Sequence, residues 1–345
     1  MIRVTTNGTL RGYKSSLTRS SNTLNASRNK VLSQSNYNSY AEDPAAATQA
    51  FRLRRSFSRT NAQLESTTAL NKKFSSACDA LSSIKGKLAD EQAKVSALAG
   101  LNDPTASGRQ PLGEVLKGAA ESIVQTLNAQ YGSAFIFGGK DSLGDAPFQL
   151  NGSKLTYRGV PVDKAAGTED GDKLEAMNQE TSYVDIGSGL SEDADGELIS
   201  SSAFNGALSG IDFVGYGEDA DGDPKNLVSV IMKLSDIFKR CDPDTGEWAS
   251  GQDQADANRL TGKLKSGIDD LTSKWTSLDG RTSYLSTTEE RLEQTASELN
   301  EQILGIEQVD LASAITDFSW AQYCYNAALK VGNSILSQSL IDYMS

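Results

Sequence analysis

The sequence contains no histidine. That removes the most frequent general base and the most frequent nitrogen ligand for metals, so imidazole-driven catalysis and histidine-held metal centres are excluded. The three cysteines, Cys78, Cys241 and Cys324, are too few and too far apart for a disulfide framework or a paired-cysteine zinc site. Cys78 and Cys324 fall in helical patterns, where a buried free thiol is the expected state. Aromatic residues make up 7% of the chain and hydrophobic residues 38%, which is low for a compact globule. No run of 18 apolar residues occurs, so no helical membrane span is expected. The opening stretch MIRVTTNGTLRGYKSS lacks the apolar segment of a Sec leader, and no such leader is expected. There is also no glycine-rich phosphate loop, no G-x-S-x-G and no singled-out carboxylate pair, so an enzyme is the least favoured class.

What fills the chain instead is Ser, Thr, Asn and Gln, and charge that is unevenly spread. The 345 residues carry a net charge of -12, yet residues 1–60 hold ten Lys or Arg against only Glu42 and Asp43. Residues 101–255 hold 11 basic and 26 acidic residues. Such asymmetry suggests an interacting end and a solvated body.

The hydrophobic pattern is helical at both ends. Leu10, Leu17, Leu24 and Val31 recur every seventh residue, a narrow stripe on a polar helix. Asp43-Pro44 is a helix start, with Asp as N-cap and Pro in the first turn. Leu70, Phe74, Ala77, Leu81, Ile84, Leu88, Val95 and Leu98 then step by threes and fours, missing at Glu91. LNDPTASG (101–108) breaks that helix, and 111–131 predicts another. Gly305 is a candidate joint in the last third. There Leu264, Leu271, Leu278, Leu285, Leu292, Leu299 and Ile306 form a heptad ladder whose second register, Trp275, Thr282, Glu289, Ala296 and Ile303, is only partly apolar. Leu311, Ile315, Phe318, Tyr325, Leu329, Gly332 and Leu336 continue the apolar spacing. Single-seam helices do not fold alone, so the two ends of the chain are expected to pair.

Between the helices the pattern switches to strands and turns. SAFIFGG reads as an apolar strand, PFQLNGSKLTYRG as a hairpin about Asn151-Gly152, SYVDIGSG as a short strand, and NLVSVIMKLSDIF (226–238) as a returning helix. The fold class expected is mainly α with a β insert: a long antiparallel helical or coiled-coil rod formed by both chain ends, plus a small turn-rich β outer domain. The domains expected are 1–42 with 305–345 as a terminal helical domain, 43–132 with 252–304 as a rod, and 133–251 as an acidic outer domain.

Two acidic turns, 192–197 and 218–226, resemble cation loops. In the second, Gly222 sits one position too early for an EF-hand and no closing Glu follows, so solvated turns are expected rather than a metal site. The basic run RLRRSFSR (52–59) lacks interleaved aromatics, which points to a helix facing a partner or solvent rather than nucleic acid. Phe318, Trp320, Tyr323 and Tyr325 on the last helix are read as interface packing rather than a ligand box.

Taken in order, several segments resemble the flagellin superfamily, and within it the hook-associated protein 3 family. SYAEDPAAATQAFRLRRSF is similar to that family's turn and following helix. YGSAFIFGG with PFQLNGSKLTYRG resembles its entry into the outer domain, and LDGRTSYLSTTEERLE its rod helix. DLASAITDFSWAQYCYNAALKVGNSILSQSLIDYMS resembles its last helix. Glu42, and YNSY in place of a Ser-Gly pair, depart from the family pattern. The resemblance implies a non-enzymatic structural subunit of the bacterial flagellum, without cofactors, joining the hook through hook-associated protein 1 to flagellin. Copies of the chain would form a ring or layer. Export through the flagellar type III apparatus with a chaperone, to an extracellular location, would replace a Sec leader. Nucleic acid and membrane are not implied partners. The ends would be disordered before assembly, and the implied assembly residues are Leu10, Leu17, Leu24, Val31, Leu311, Ile315, Phe318, Tyr325, Leu329 and Leu336. A filament flagellin, or an acidic calcium- or ligand-binding module on a coiled-coil stalk, are the alternatives.

Overall fold

The computed structural model describes residues 6–344 apart from 38, 101–106, 188, 194–198 and 200–202, and it does not describe the side chains of 6, 7, 9 and 335–344. Most of LNDPTASG and of the first acidic turn therefore lie outside the described residues. The chain divides into two units: Met1–Asn61 with Glu293–Ser345, and Ala62–Leu292.

In the first unit, α1 (Thr6–Ser33) lies along α8 (Leu311–Met344). The chain leaves α1 through Gln34, in the left-handed region at φ 55°, and pairs at Ser35 with Gln308. Asn36 then donates from its side-chain amide to the carbonyls of Ile306 and Gln308, at 2.9 and 3.0 Å. Asp310 caps α8 by accepting from the Ala312 amide at 3.0 Å. The helix α7 (Gly251–Glu307) runs without interruption through Gly305. The joint expected at Gly305 falls instead at 308–310, where Asp310 starts a new helix. The helix α2 (Pro44–Ala99) begins as its sequence predicts, with the Asp43 carboxylate accepting from the Ala46 amide at 3.0 Å.

In the second unit, α2 and α7 are joined antiparallel by side chains. Phe74, Leu81, Ile84 and Leu88 of α2 and Leu264, Leu271, Leu278 and Leu285 of α7 are fully buried in one core. Beside this apolar ladder run polar rungs. Thr68 and Asn71 both donate to the Glu289 carboxylate, at 2.6 and 2.7 Å. The Trp275 indole donates to the Cys78 carbonyl at 3.1 Å, Cys78 Sγ lies 3.5 Å from the Thr282 hydroxyl, and Lys85 sits over the Trp275 ring. Glu91, the gap in the stripe, is buried with Lys94 2.7 Å away. The leucine ladder holds to Leu292. In the first unit the buried positions of α7 shift to Ala296 and Ile303, while Leu299 and Ile306 are half-buried.

The insert begins after α3 (Arg109–Leu127). The pattern predicts this helix to 131, but Asn128 ends it: its side chain donates to the Phe148 carbonyl and accepts from the Phe148 amide, at 2.8 and 3.0 Å. The chain then forms the pair β1 (Gln130–Tyr131) and β2 (Ala134–Phe135), and the sheet β3 (Phe148–Asn151), β4 (Lys154–Tyr157) and β5 (Val160–Pro161). Asn151 opposes Lys154, so the turn centres one residue later than expected, on Gly152-Ser153. Gly152 takes φ 65°, which suits glycine at the first turn position. After α4 (Glu169–Asn178), β6 (Tyr183–Val184) pairs with β7 (Phe204–Asn205). The short α5 (Gly210–Val214) follows, and then α6 (Leu227–Lys239), capped by the Asn226 side chain. The helices α3 and α6 cross closely, with Ser235 donating to the Gly113 carbonyl at 2.6 Å. The insert shares the helical core through Phe137, Phe148, Tyr157, Ile231 and Phe238. Cys78 and Cys241 are buried free thiols, and Cys324 is half-buried.

Candidate assembly surface

The residues by which the first unit could meet a partner sit on α8. Its seam against α1 is made of small residues. Ala314 and Ala321 are buried, Ala328 one heptad further is half-buried, and Gly332 is buried against Tyr13. A Cβ at 332 would collide with the Tyr13 ring, so a larger residue there requires that ring to move. On α1, Leu10, Leu17, Leu24 and Val31 are half-buried. Phe318 and Tyr325 of α8 are half-buried as well.

The larger apolar residues of α8 point elsewhere. Leu311, Ile315 and Leu329 are exposed, Leu329 by 42%. They lie off the seam with α1, where the close approach of the two helices is made by small side chains. Trp320 and Tyr323, read from sequence as packed aromatics, are each 67% exposed, and their rings stack on one another at 5.8 Å. Val331, two to three turns further along α8, is exposed as well, and Leu32 is exposed on α1. Leu336 lies outside the described side chains. Leu311, Ile315 and Leu329 form one flank of α8 and Trp320, Tyr323 and Val331 another, so α8 is apolar well beyond the seam it buries. The sequence pattern missed Val331 and the small-residue seam, although Ala314, Ala321 and Ala328 at heptad spacing carry the signal.

The second acidic turn is already filled. Asp219, Asp221 and Asp223 bring their carboxylates within 4.8 Å of one another, and Lys263 of α7 places its ammonium among them, at 2.5, 3.0 and 2.7 Å. Arg259 adds a hydrogen bond to Asp223 at 2.8 Å. The Arg259 hydrogen bond, with that of Lys263, holds the Asp223 carboxyl well below the usual carboxylate range against the opposing effect of burial. The turn is thereby an ion-pair clamp between the insert and α7 within the second unit. A 680 Å³ groove beside it is lined by both lysines and carboxylates, among them Lys164, Glu175 and Lys274.

No family model matches the sequence, and no curated protein matches it. Solved structures do. A protein of Vibrio parahaemolyticus described as a flagellar hook-associated protein superposes with a TM-score of 0.57 at 17% identity, over 77% of this chain and 99% of that one. Its fold is that of a flagellar hook-associated protein. Bacillus cereus FlgL, at 15% identity and TM-score 0.44, covers 75% of this chain and 99% of its own. The junction protein FlgL of Legionella pneumophila, at 13% identity and TM-score 0.44, covers 69% and 99%. The hook-associated fold accounts for the architecture here: paired terminal helices, a second helical pair, and a β insert between them.

Proposed function

We propose that the chain is a structural subunit of the bacterial flagellum, joining the hook, through hook-associated protein 1, to the flagellin filament. The observation that carries this reading is α8. It buries a seam of small residues against α1 and leaves Leu, Ile, Trp, Tyr and Val exposed on its remaining faces, apolar surface that a polymer wall would cover. On this reading residues 1–42 with 305–345 form the assembly domain, 43–132 with 252–304 the rod, and 133–251 the outward acidic domain. Copies form a ring or layer, and the chain reaches the distal hook through the type III export apparatus with its chaperone. The half-buried and exposed apolar residues of α1 and α8, from Leu10 to Leu329, are its contact residues. Coverage of that apolar surface in the polymer offsets the cost of ordering narrow-seam helices.

The test is deletion of the gene in the source bacterium with epitope-tagged rescue. A hook without filament, flagellin lost to the medium, and tag confined to the hook–filament boundary would support the junction role. Tag along the whole filament would replace it with a filament flagellin. Normal filaments in the deletion would remove both.

A further inference from the structure

The charge of the first unit is split between its two chain segments. Met1–Asn61 carries ten Lys or Arg and two acids, whereas Glu293–Ser345 carries one Lys and seven acids. Part of this is paired internally: Arg54 of α2 reaches Glu307 of α7 at 2.5 Å. The rest faces outward. Arg52, Arg55 and Arg59 are exposed and recur at i, i+3 and i+7, one stripe of α2. On the same stretch Ala47 and Ala50 are buried, and at about 100° per residue they fall on the opposite side of the helix. On α7, Glu293, Glu298 and Glu301 are exposed; Glu298 and Glu301 fall on the side away from the buried Ala296 and Ile303, and Glu293 lies nearer that face. Among the described residues none of these six enters an ion pair. Glu298 accepts instead from Gln294 of its own helix, at 3.0 Å.

We propose that this unit docks sideways onto a second copy of the chain, the Arg52, Arg55 and Arg59 stripe of one copy meeting the Glu293, Glu298 and Glu301 sector of the next. The proposal rests on reading the chain as a subunit of a polymer, and it adds the lateral contact. Charge complementarity selects the occupant. Each patch repels itself, which disfavours a two-fold dimer through either alone, and the two are opposite in sign and equal in number. Where the arginine stripe of one copy meets the glutamate sector of the next and the other two patches stay free, the contact is head-to-tail, and repetition closes a ring or extends a helix. Charges carried on α2 and α7 rather than on α8 also suit steering and register, the roles in which complementary surface charge is most effective. A polyanion such as nucleic acid would engage the arginine stripe alone and take no notice of the glutamates.

The experiment is sedimentation velocity on the purified full chain over a concentration series, at about 20 mM and about 500 mM salt, where the screening length falls severalfold. The wild type is expected to associate at low salt and to separate at high salt. Reversal of the three arginines to Glu, or of the three glutamates to Arg, should each raise the concentration needed by roughly tenfold or more. An equimolar mixture of the two reversed chains should restore association. A wild type that stays monomeric throughout the low-salt series would overturn the proposal. So would glutamate reversal without effect, or a mixture that fails to recover. Arg→Gln and Glu→Gln versions supply the same readout if reversal disturbs helix content. None of these measurements uses a flagellum, so they fail or succeed independently of the localisation test.

Discussion

Lys263 places its ammonium 2.7 Å from Oδ2 of Asp223, a carboxylate whose side chain is only 6% exposed. Arg259 and Lys233 approach the same group, so a single buried acid from the insert gathers three cations from α6 and α7.

Asp223→Asn should therefore destabilise the second unit by about 1–3 kcal/mol, the cost of removing a buried carboxylate that accepts from charged donors. The dependence on pH follows from the direction of the shift. The folded state holds the Asp223 carboxyl below its unfolded value. Its contribution is complete above the unfolded pKa, about 4, and is lost as pH falls through the folded one. Urea midpoints for wild type and Asp223→Asn should differ by the same amount at about pH 7 and pH 5 and begin to converge only below about pH 4.

Calcium bears on the stalk-module alternative. Because Lys263 fills the space among Asp219, Asp221 and Asp223, millimolar calcium should leave the wild-type melting temperature unchanged to within about 1 °C, as expected when no ligand binds the native state. A rise of several degrees would restore that alternative.

Leu278→Ala removes a buried rung of the α2–α7 ladder and should cost about 2–5 kcal/mol. Denaturant unfolding reads it directly. A loss under about 1 kcal/mol would mean that the pair can close around the cavity.

Gly332→Ala forces a methyl group into Tyr13. Overpacking of this kind costs about 1–3 kcal/mol, and here it falls on the contact of α1 with α8. Hydrogen exchange should quicken along α1 while protection of α2 between Phe74 and Leu88 stays as it was. Gly332→Ala together with Tyr13→Ala should recover part of the loss.

Leu329→Asp changes an exposed residue and should leave the circular dichroism and melting temperature of the isolated chain intact. If α8 is covered in a polymer, the same substitution places a charge in that interface, and it should abolish assembly and swimming. A motile strain carrying it would remove Leu329 from the contact.

The helices, the Asp43 cap and the leucine ladder to Leu292 were legible in the sequence because each depends on local chemistry or on strict period. The faces of α8 were not. Periodicity ranks residues by hydrophobicity, so Leu311, Ile315 and Leu329 stood out, while the seam went to Ala314, Ala321 and Gly332 for their lack of bulk. The shift of the buried positions to Ala296 and Ile303 was not legible either, because the unbroken leucine period continues through Leu299. The end of α3 was hidden for another reason. Asn128 terminates the helix by bonding to Phe148, 20 residues away, and no local window contains that partner. The Lys263 clamp was equally non-local, since the acidic turn was visible and the ammonium that fills it comes from another helix.

The polar rungs between α2 and α7 bear on a problem that the leucines create for themselves. A ladder of identical rungs, Leu264, Leu271, Leu278 and Leu285, fits its partner almost as well when displaced by one repeat. Trp275, Thr282 and Glu289 differ from one another, and each meets a different group: the Cys78 carbonyl, the Cys78 thiol, and the Thr68–Asn71 pair. They act as the unequal teeth of a key. A slip of one heptad would leave an indole, a hydroxyl and a carboxylate facing the wrong wards at once, so the hairpin has one stop at which every tooth engages.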